Sequence, residues 1–247
     1  MRVLALDTTT AGGSVALVDE ARVIAEQRGD ASRTHAERLP REILALLASC
    51  GETIASIDLF AVASGPGSFT GLRIGIATVQ GLAFVNDRRI VGVSALEALA
   101  HSVAADAGSG TIVGAWMDAH RREVFSALYR VADAQGPAAP APFDPERLVE
   151  LEPAAVGDPA ATVARWSRVV PRERPIFIGD GAVLYSDVIR QTIGDTVAVM
   201  DAPLLAGTIG RIAAARGRRG ETVTASGIRP LYVRRPDAEI ARGVGAD

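Results

Sequence analysis

Ser64-Gly-Pro-Gly-Ser-Phe-Thr-Gly-Leu-Arg-Ile-Gly75 joins an apolar run, Ile57–Ala63, to a small-residue apolar segment over about Leu72–Phe84. Between them lie Gly65, Gly67 and Gly71, one proline and three hydroxyl residues. A turn of this composition after a strand and before a helix brings backbone N–H groups and a helix N-terminus to one point, which suits an anion. The familiar phosphate and nucleophile patterns do not fit it. Gly65 and Gly71 are wrongly spaced for a P-loop, and Leu72-Arg73 stands where Lys-Ser/Thr belongs. Pro66 and Thr70 occupy the glycine positions of a nucleophile elbow around Ser68. A dinucleotide turn comes closer, but Val91-Gly-Val-Ser94 replaces the ribose-binding acid that should follow.

The helix after the loop carries Gly71, Gly75, Ala77 and Gly81. Each helical glycine costs about 1 kcal/mol against alanine, so the set needs a reason. Two remain open: close packing on the sheet of the same subunit, or contact with a helix of another subunit.

Outward from this stretch, Val3–Leu6, Ser14–Val18 and Val23–Gln27 read as a three-strand meander whose first turn is Asp7-Thr-Thr-Thr-Ala-Gly-Gly13. Leu39, Ile43, Leu46 and Leu47 give Thr34–Ser49 a helical period, and Thr34 with Glu37 has capping-box spacing. Pro40 predicts a kink there or a start nearer Leu39. A strand at Ile90–Val93 and a helix over Ala95–Ala105 capped by Ser94 follow. Asp106-Ala-Gly-Ser-Gly110 is the best domain boundary. Beyond it, Thr111–Met117 and Glu123–Val131 flank Asp118-Ala-His-Arg-Arg122 as a hairpin. Ala132–Ala161, rich in Ala and Pro, reads as loop with short structure. Pro175–Ile178, Gly179-Asp-Gly181 and Val183–Gln191 form a strand, loop and helix; Leu204–Arg216 is a helix and Pro230–Pro236 an extended tail. Strands alternating with helices after a meander indicate α/β layers. No internal sequence repeat is strong enough to argue from.

The chain has 247 residues, 48% hydrophobic and 22% charged, with a net charge of −3. That profile fits an ordinary globular protein and gives no global case for nucleic acid or membrane. Arg211–Arg235 departs from the mean, with seven arginines against Glu221 alone; it reads as a solvated flank or as a phosphate or RNA contact. Cys50 is the only cysteine, which excludes an intrachain disulfide and a cysteine zinc site. All 26 basic residues are arginine, which excludes a P-loop or Schiff-base lysine. Asp7 breaks the N-terminal apolar run too early for a signal peptide, and no segment approaches a membrane span, so a cytoplasmic protein is expected.

Asp7-Thr-Thr-Thr10, His35-Ala-Glu-Arg-Leu39, Ser64–Gly75, Val93-Ser-Ala-Leu-Glu97 and Met117-Asp-Ala-His-Arg-Arg-Glu123 together resemble the TsaB (YeaZ) family. Its members are partner subunits in making threonylcarbamoyladenosine on tRNA. The resemblance is close over the first 130 residues. It is looser through Gly179-Asp-Gly-Ala182 and Pro230–Pro236.

It implies an α/β fold with two lobes of the actin/Hsp70-type ATPase (ribonuclease H-like) class, the second lobe reduced. The lobes would span 1–106 and 107–247, with the helix 204–216 packing back on the first. In such a fold Asp7, Thr8, Thr9 and Thr10 stand at a phosphate loop, expected here as a vestige. The catalytic paralogue, TsaD, carries two metal-binding histidines on the helix after its glycine loop; Ala95 and Leu99 stand at those positions here. No catalytic or metal-ligating residue is therefore expected.

The implied function is a non-catalytic partner subunit that binds a TsaD-like paralogue through Leu39, Ile43, Leu46, Gly71, Ile74, Gly75, Thr78 and Leu82. A TsaE-like ATPase in the larger assembly, a homodimer when alone and indirect service to tRNA complete the expected partners. No cofactor is expected, beyond weak ATP or ADP binding at a subunit interface. The alternative is a stand-alone ATPase or kinase using Asp7–Thr10. Proteolysis has no support: there is no metal pair and no reactive-cysteine setting, and Asp118 and His120 share a hairpin turn.

Overall fold

A computed structural model of the chain describes residues 1–133, 140–171 and 173–233. The first lobe contains β1 (Arg2–Asp7), β2 (Ser14–Asp19), β3 (Arg22–Arg28), α1 (His35–Ser49), β4 (Leu59–Gly65), α2 (Phe69–Val85), β5 (Arg89–Ser94) and α3 (Ala95–Ala104). Its sheet runs β3-β2-β1-β4-β5, antiparallel through the meander and parallel from β1 to β5. β1 is central, and Val3, Leu4, Ala5 and Leu6 are fully buried. That is why it reads as an unbroken apolar run rather than an alternating one.

The second lobe contains β6 (Ile112–Asp118), β7 (Val124–Val131), β8 (Leu148–Gly157), α4 (Pro159–Val169), β9 (Ile176–Ile178), α5 (Asp180–Leu184), α6 (Ser186–Ile193) and β10 (Val199–Met200), followed by α7 (Ala206–Arg218). Its sheet runs β8-β7-β6-β9-β10, again a meander followed by two parallel strands. Both sheets thus have one topology, a repeat that the sequence does not display.

Four local expectations change. α1 starts at His35 and runs through Pro40. The Glu37 carboxylate accepts from the Thr34 N–H and hydroxyl at 2.9 and 2.8 Å, and the Ala36–Pro40 side of the helix is exposed, so water can serve the carbonyl that Pro40 leaves without a donor. Within Ala132–Ala161 the structure places β8 and the start of α4. β8 tolerates Pro153 because it is an edge strand. Asp158 caps α4, accepting from the Ala161 N–H at 2.8 Å, with Pro159 at the first helical position. The helix expected over Val183–Gln191 is two helices, α5 and α6, and β10 adds an unforeseen edge strand.

α1 and α2 cover one face of the first sheet around Leu4, Leu6, Phe60 and Val62. α7 lies on the other face: the Ala206 N–H donates to Ser14 Oγ at 3.0 Å and Gly210 fits against Val18. α3 lies between the sheets, and one core joins its Leu96 and Leu99 to Val93 of the first lobe and Ala115 of the second.

Candidate functional site

β1 delivers Asp7 to the C-terminal end of the central strand, and Thr8 and Thr9 follow it, all three buried. Asp7 Oδ1 accepts from the Thr9 N–H at 2.9 Å and from the Thr9 hydroxyl at 2.6 Å. The Thr10 hydroxyl accepts from the Gly13 N–H at 3.1 Å. Burial pushes the Asp7 carboxyl above its ordinary range against the pull of the Thr9 bonds, and the Asp180 carboxylate of the second lobe pushes the same way. The turn is held from α1. Arg38 can only donate, and its guanidinium reaches His35 Nδ1 at 2.8 Å, so Nδ1 is the acceptor and His35 Nε2 carries the proton donated to the Thr10 carbonyl at 3.0 Å. The same guanidinium donates to the Ala11 and Gly12 carbonyls and to Glu42. This explains why His35 and Arg38 occur together: they fasten the first turn.

The glycine loop packs directly on that turn. The Ser68 N–H donates to the Thr9 carbonyl at 2.8 Å, and Ser68 Oγ caps α2 by accepting from the Gly71 N–H at 3.2 Å. Gly71 faces the Thr8 carbonyl and Gly75 the Thr8 hydroxyl, at separations that leave no room for a Cβ. In the second lobe, Asp180 Oδ1 accepts from the N–H groups of Asp118 and Gly181, at 3.1 and 2.8 Å. The N–H groups of Thr9, Gly13, Asp118 and Gly181 are thus engaged by the chain's own acceptors, while the buried Thr8 hydroxyl has no partner among the described residues. The engaged groups do not favour the stand-alone ATPase or kinase.

The expected interface needs correction at five positions. Leu39, Ile43 and Leu46 are buried beneath α1 in the chain's own core, because the helical stripe they form is the one that seals the sheet. Gly71 and Gly75 are buried against Thr8, which settles the reason for those two glycines in favour of packing within the chain. Ile74, Thr78 and Leu82 lie half-buried toward the outer side of α2. Around them Ala77 and Gly81 are exposed, with Phe84 at 80% and Val85 at 81%, and Leu44 of α1 at 56%. The signal for this second face was present. From Ile74 to Val85 the spacing 74, 77, 78, 81, 85 is itself a helical stripe, so α2 carries a second uncharged stripe opposite its buried face.

Ala95 and Leu99 are both buried on α3, packed in the core shared by the lobes. His101 on the same helix is fully buried, His35 holds the first turn, and His120 sits at the β6–β7 tip beside Asp118 at 3.1 Å. Among the described residues no group of three or more His, Cys, Asp or Glu side chains could hold a metal. The arginine-rich stretch is largely engaged internally. Arg211 stacks on Phe143, Arg216 pairs with Glu97, Arg218 with Glu20, and Arg219 with Asp144 and Glu146; Arg234 and Arg235 lie outside the described residues. No described helix is long and apolar enough to cross a membrane.

The family described as "TsaD: tRNA N6-adenosine threonylcarbamoyltransferase" matches residues 21–242. The tRNA threonylcarbamoyladenosine biosynthesis protein TsaB of Bacillus subtilis is 28% identical over 250 residues, covering 97% of this chain and 96% of that protein. The structure of YeaZ from Pseudomonas aeruginosa superposes with a TM-score of 0.71 at 31% identity, covering 94% of this chain and 99% of that one. An activator of 2-hydroxyisocaproyl-CoA dehydratase from Clostridium difficile, with bound ADPNP, superposes at 0.50 with 10% identity over 90% of this chain and 97% of its own, a likeness of fold alone.

Proposed function

The chain belongs to the TsaD family, and within it to the TsaB (YeaZ) proteins; on that premise we propose that it is a non-catalytic partner subunit which docks a TsaD-like paralogue for threonylcarbamoyladenosine formation on tRNA. The observation that carries this reading is the outer face of α2. Ile74, Ala77, Thr78, Gly81 and Val85 form an uncharged stripe flanked by Phe84, on a helix whose opposite face is already buried. Burial of apolar surface yields about 25 cal/mol per Å², and the small residues let a second helix approach closely. The Ala95 and Leu99 side chains have no atom that can ligate a metal, which supports a supporting rather than a catalytic role. The same face would pair two copies of this chain when the paralogue is absent. A TsaE-like ATPase would join the larger assembly, and tRNA would be served through the paralogue.

Light scattering of the chain alone and mixed with the TsaD-like paralogue tests the reading. The parent should form a complex. Ala77→Arg, which places a charge on the exposed stripe, should abolish it while leaving the far-UV spectrum and Tm of the isolated chain unchanged. A parent chain that never binds the paralogue sinks the proposal. Gly75 is not a useful probe, since it faces Thr8.

A further inference from the structure

Beyond α7 the chain crosses the open edge of β5, where Ile90 and Val223 exchange backbone hydrogen bonds of 2.9 and 2.8 Å. Ile228 then seats over Gly92 and is buried, and the Leu231 N–H donates to the Ser64 carbonyl at 2.7 Å. The strap is thus fixed at three points before it brings Tyr232 to the first turns of α2. There the Tyr232 ring lies 5.3 Å from that of Phe69. Arg73 completes the cluster: its guanidinium carbon is 3.8 Å from the Phe69 ring centroid, and its Nε–H donates to the Tyr232 hydroxyl at 3.1 Å.

Phe69, Leu231 and Tyr232 are 38%, 40% and 39% exposed, large apolar side chains gathered around one cation. An exposed arginine normally loses much of any ion-pair gain to side-chain entropy. This one is already held by stacking and by a hydrogen bond, so accepting a carboxylate costs less ordering. Its two terminal nitrogens have no partner among the described residues. The first turn of α2 contains no acid, so the positive end of the helix dipole is uncompensated as well. Arg73 directly precedes Ile74 and lies one turn before Ala77, so the cluster is continuous with the uncharged stripe.

We propose that Phe69, Arg73 and Tyr232 form a carboxylate clamp that receives an Asp or Glu side chain of the docked paralogue at the N-terminal end of the α2 face. The clamp rests on the docking reading given above. A planar guanidinium fixed at Nε offers its two terminal N–H pairs as a fork matched to a carboxylate. The clamp would set the register and orientation of the paired helices, while the apolar stripe supplies most of the affinity.

Calorimetric titration with the TsaD-like paralogue at low and high salt separates the two ideas. Arg73→Met retains the apolar stem and should weaken binding roughly tenfold or more, with a shallower salt dependence. Tyr232→Phe, which removes only the hydroxyl that holds the guanidinium, should weaken it several-fold with Tm unchanged. Parental affinity in both variants overturns the clamp. So does a weakening by Arg73→Met that leaves the salt dependence at its parental slope, since that would report lost packing rather than lost charge. Ala77→Arg serves as the control: if it binds like the parent, the docking face itself is wrong, and the clamp falls with it.

Discussion

His101 is wholly buried on α3, stacked against Phe143 with ring centroids 6.4 Å apart, and neither ring nitrogen has a hydrogen-bond partner. The nearest carboxylate oxygen, on Glu97, is 3.9 Å away and is committed to Arg216. Burial, with Arg216 and then Arg147 nearby, lowers the His101 pKa from 6.5 to about 4, against the upward pull of Asp144. An unfolded chain takes up this proton near 6.5, whereas the folded one resists until about 4. Stability from this group is therefore complete above pH 6.5 and is lost as pH falls toward 4, by at most roughly 3 kcal/mol at 1.36 kcal/mol per unit. His101→Leu should be neutral or stabilising at pH 7, because it removes unsatisfied buried nitrogens. It should also lose less stability than the parent between pH 7 and 4.5 in urea titrations; equal losses would refute the assignment. Burial of this histidine was not legible in sequence. Its surroundings come from α7 and from the segment before β8, far along the chain. The Thr34–Glu37 pair was legible, since both members belong to one helical turn. Arg38, whose acceptors at Ala11 and Gly12 lie across a turn of another element, was not.

At the scale of the element, α2 holds two opposed uses of glycine. Gly75→Ala should gain about 1 kcal/mol of helix propensity, yet its Cβ would collide with the Thr8 hydroxyl on a buried turn. Overpacking of this kind costs about 1–3 kcal/mol or more, so net destabilisation is expected. Gly81→Ala meets nothing within 4 Å and should stabilise the isolated chain by about 0.5–1 kcal/mol. Chemical denaturation of both variants decides the matter, and a stable Gly75→Ala would show that Thr8 does not fix the α2 position. The sequence located these glycines on one helix but could not say which face met what. Position 75 lies toward the β1 turn and position 81 toward solvent only once the sheet has placed the helix. Pro40 carries the same lesson. Its local preference argued for a break, and the buried stripe Leu39, Ile43, Leu46 and Leu47 overrode it.

Over the whole molecule the two sheets share a core through α3 and α7, and buried or half-buried arginines tie the parts together. Arg216 of α7 holds Glu97 at 2.8 and 3.0 Å and the Gly92 carbonyl at 3.0 Å. Arg147 donates to the Ala132, Ala104 and Ala107 carbonyls around the junction after α3. Such coupling predicts one cooperative unfolding event. Trp116 and Trp166 both sit in the second-lobe core, so fluorescence follows that lobe while far-UV circular dichroism follows both. The two transitions should coincide in denaturant, and a separation between them would show lobes that unfold independently. By itself the sequence determined the layered α/β class, the first meander and the glycine turn, because each depends on residue type and short-range spacing. Only the tertiary structure decided that the two lobes repeat one topology, that Leu39 and Gly75 face inward, and that Phe84, Arg73 and Tyr232 face out. Which side of an apolar helix is covered depends on the sheet and strap brought to it from elsewhere in the chain, and no local pattern records that.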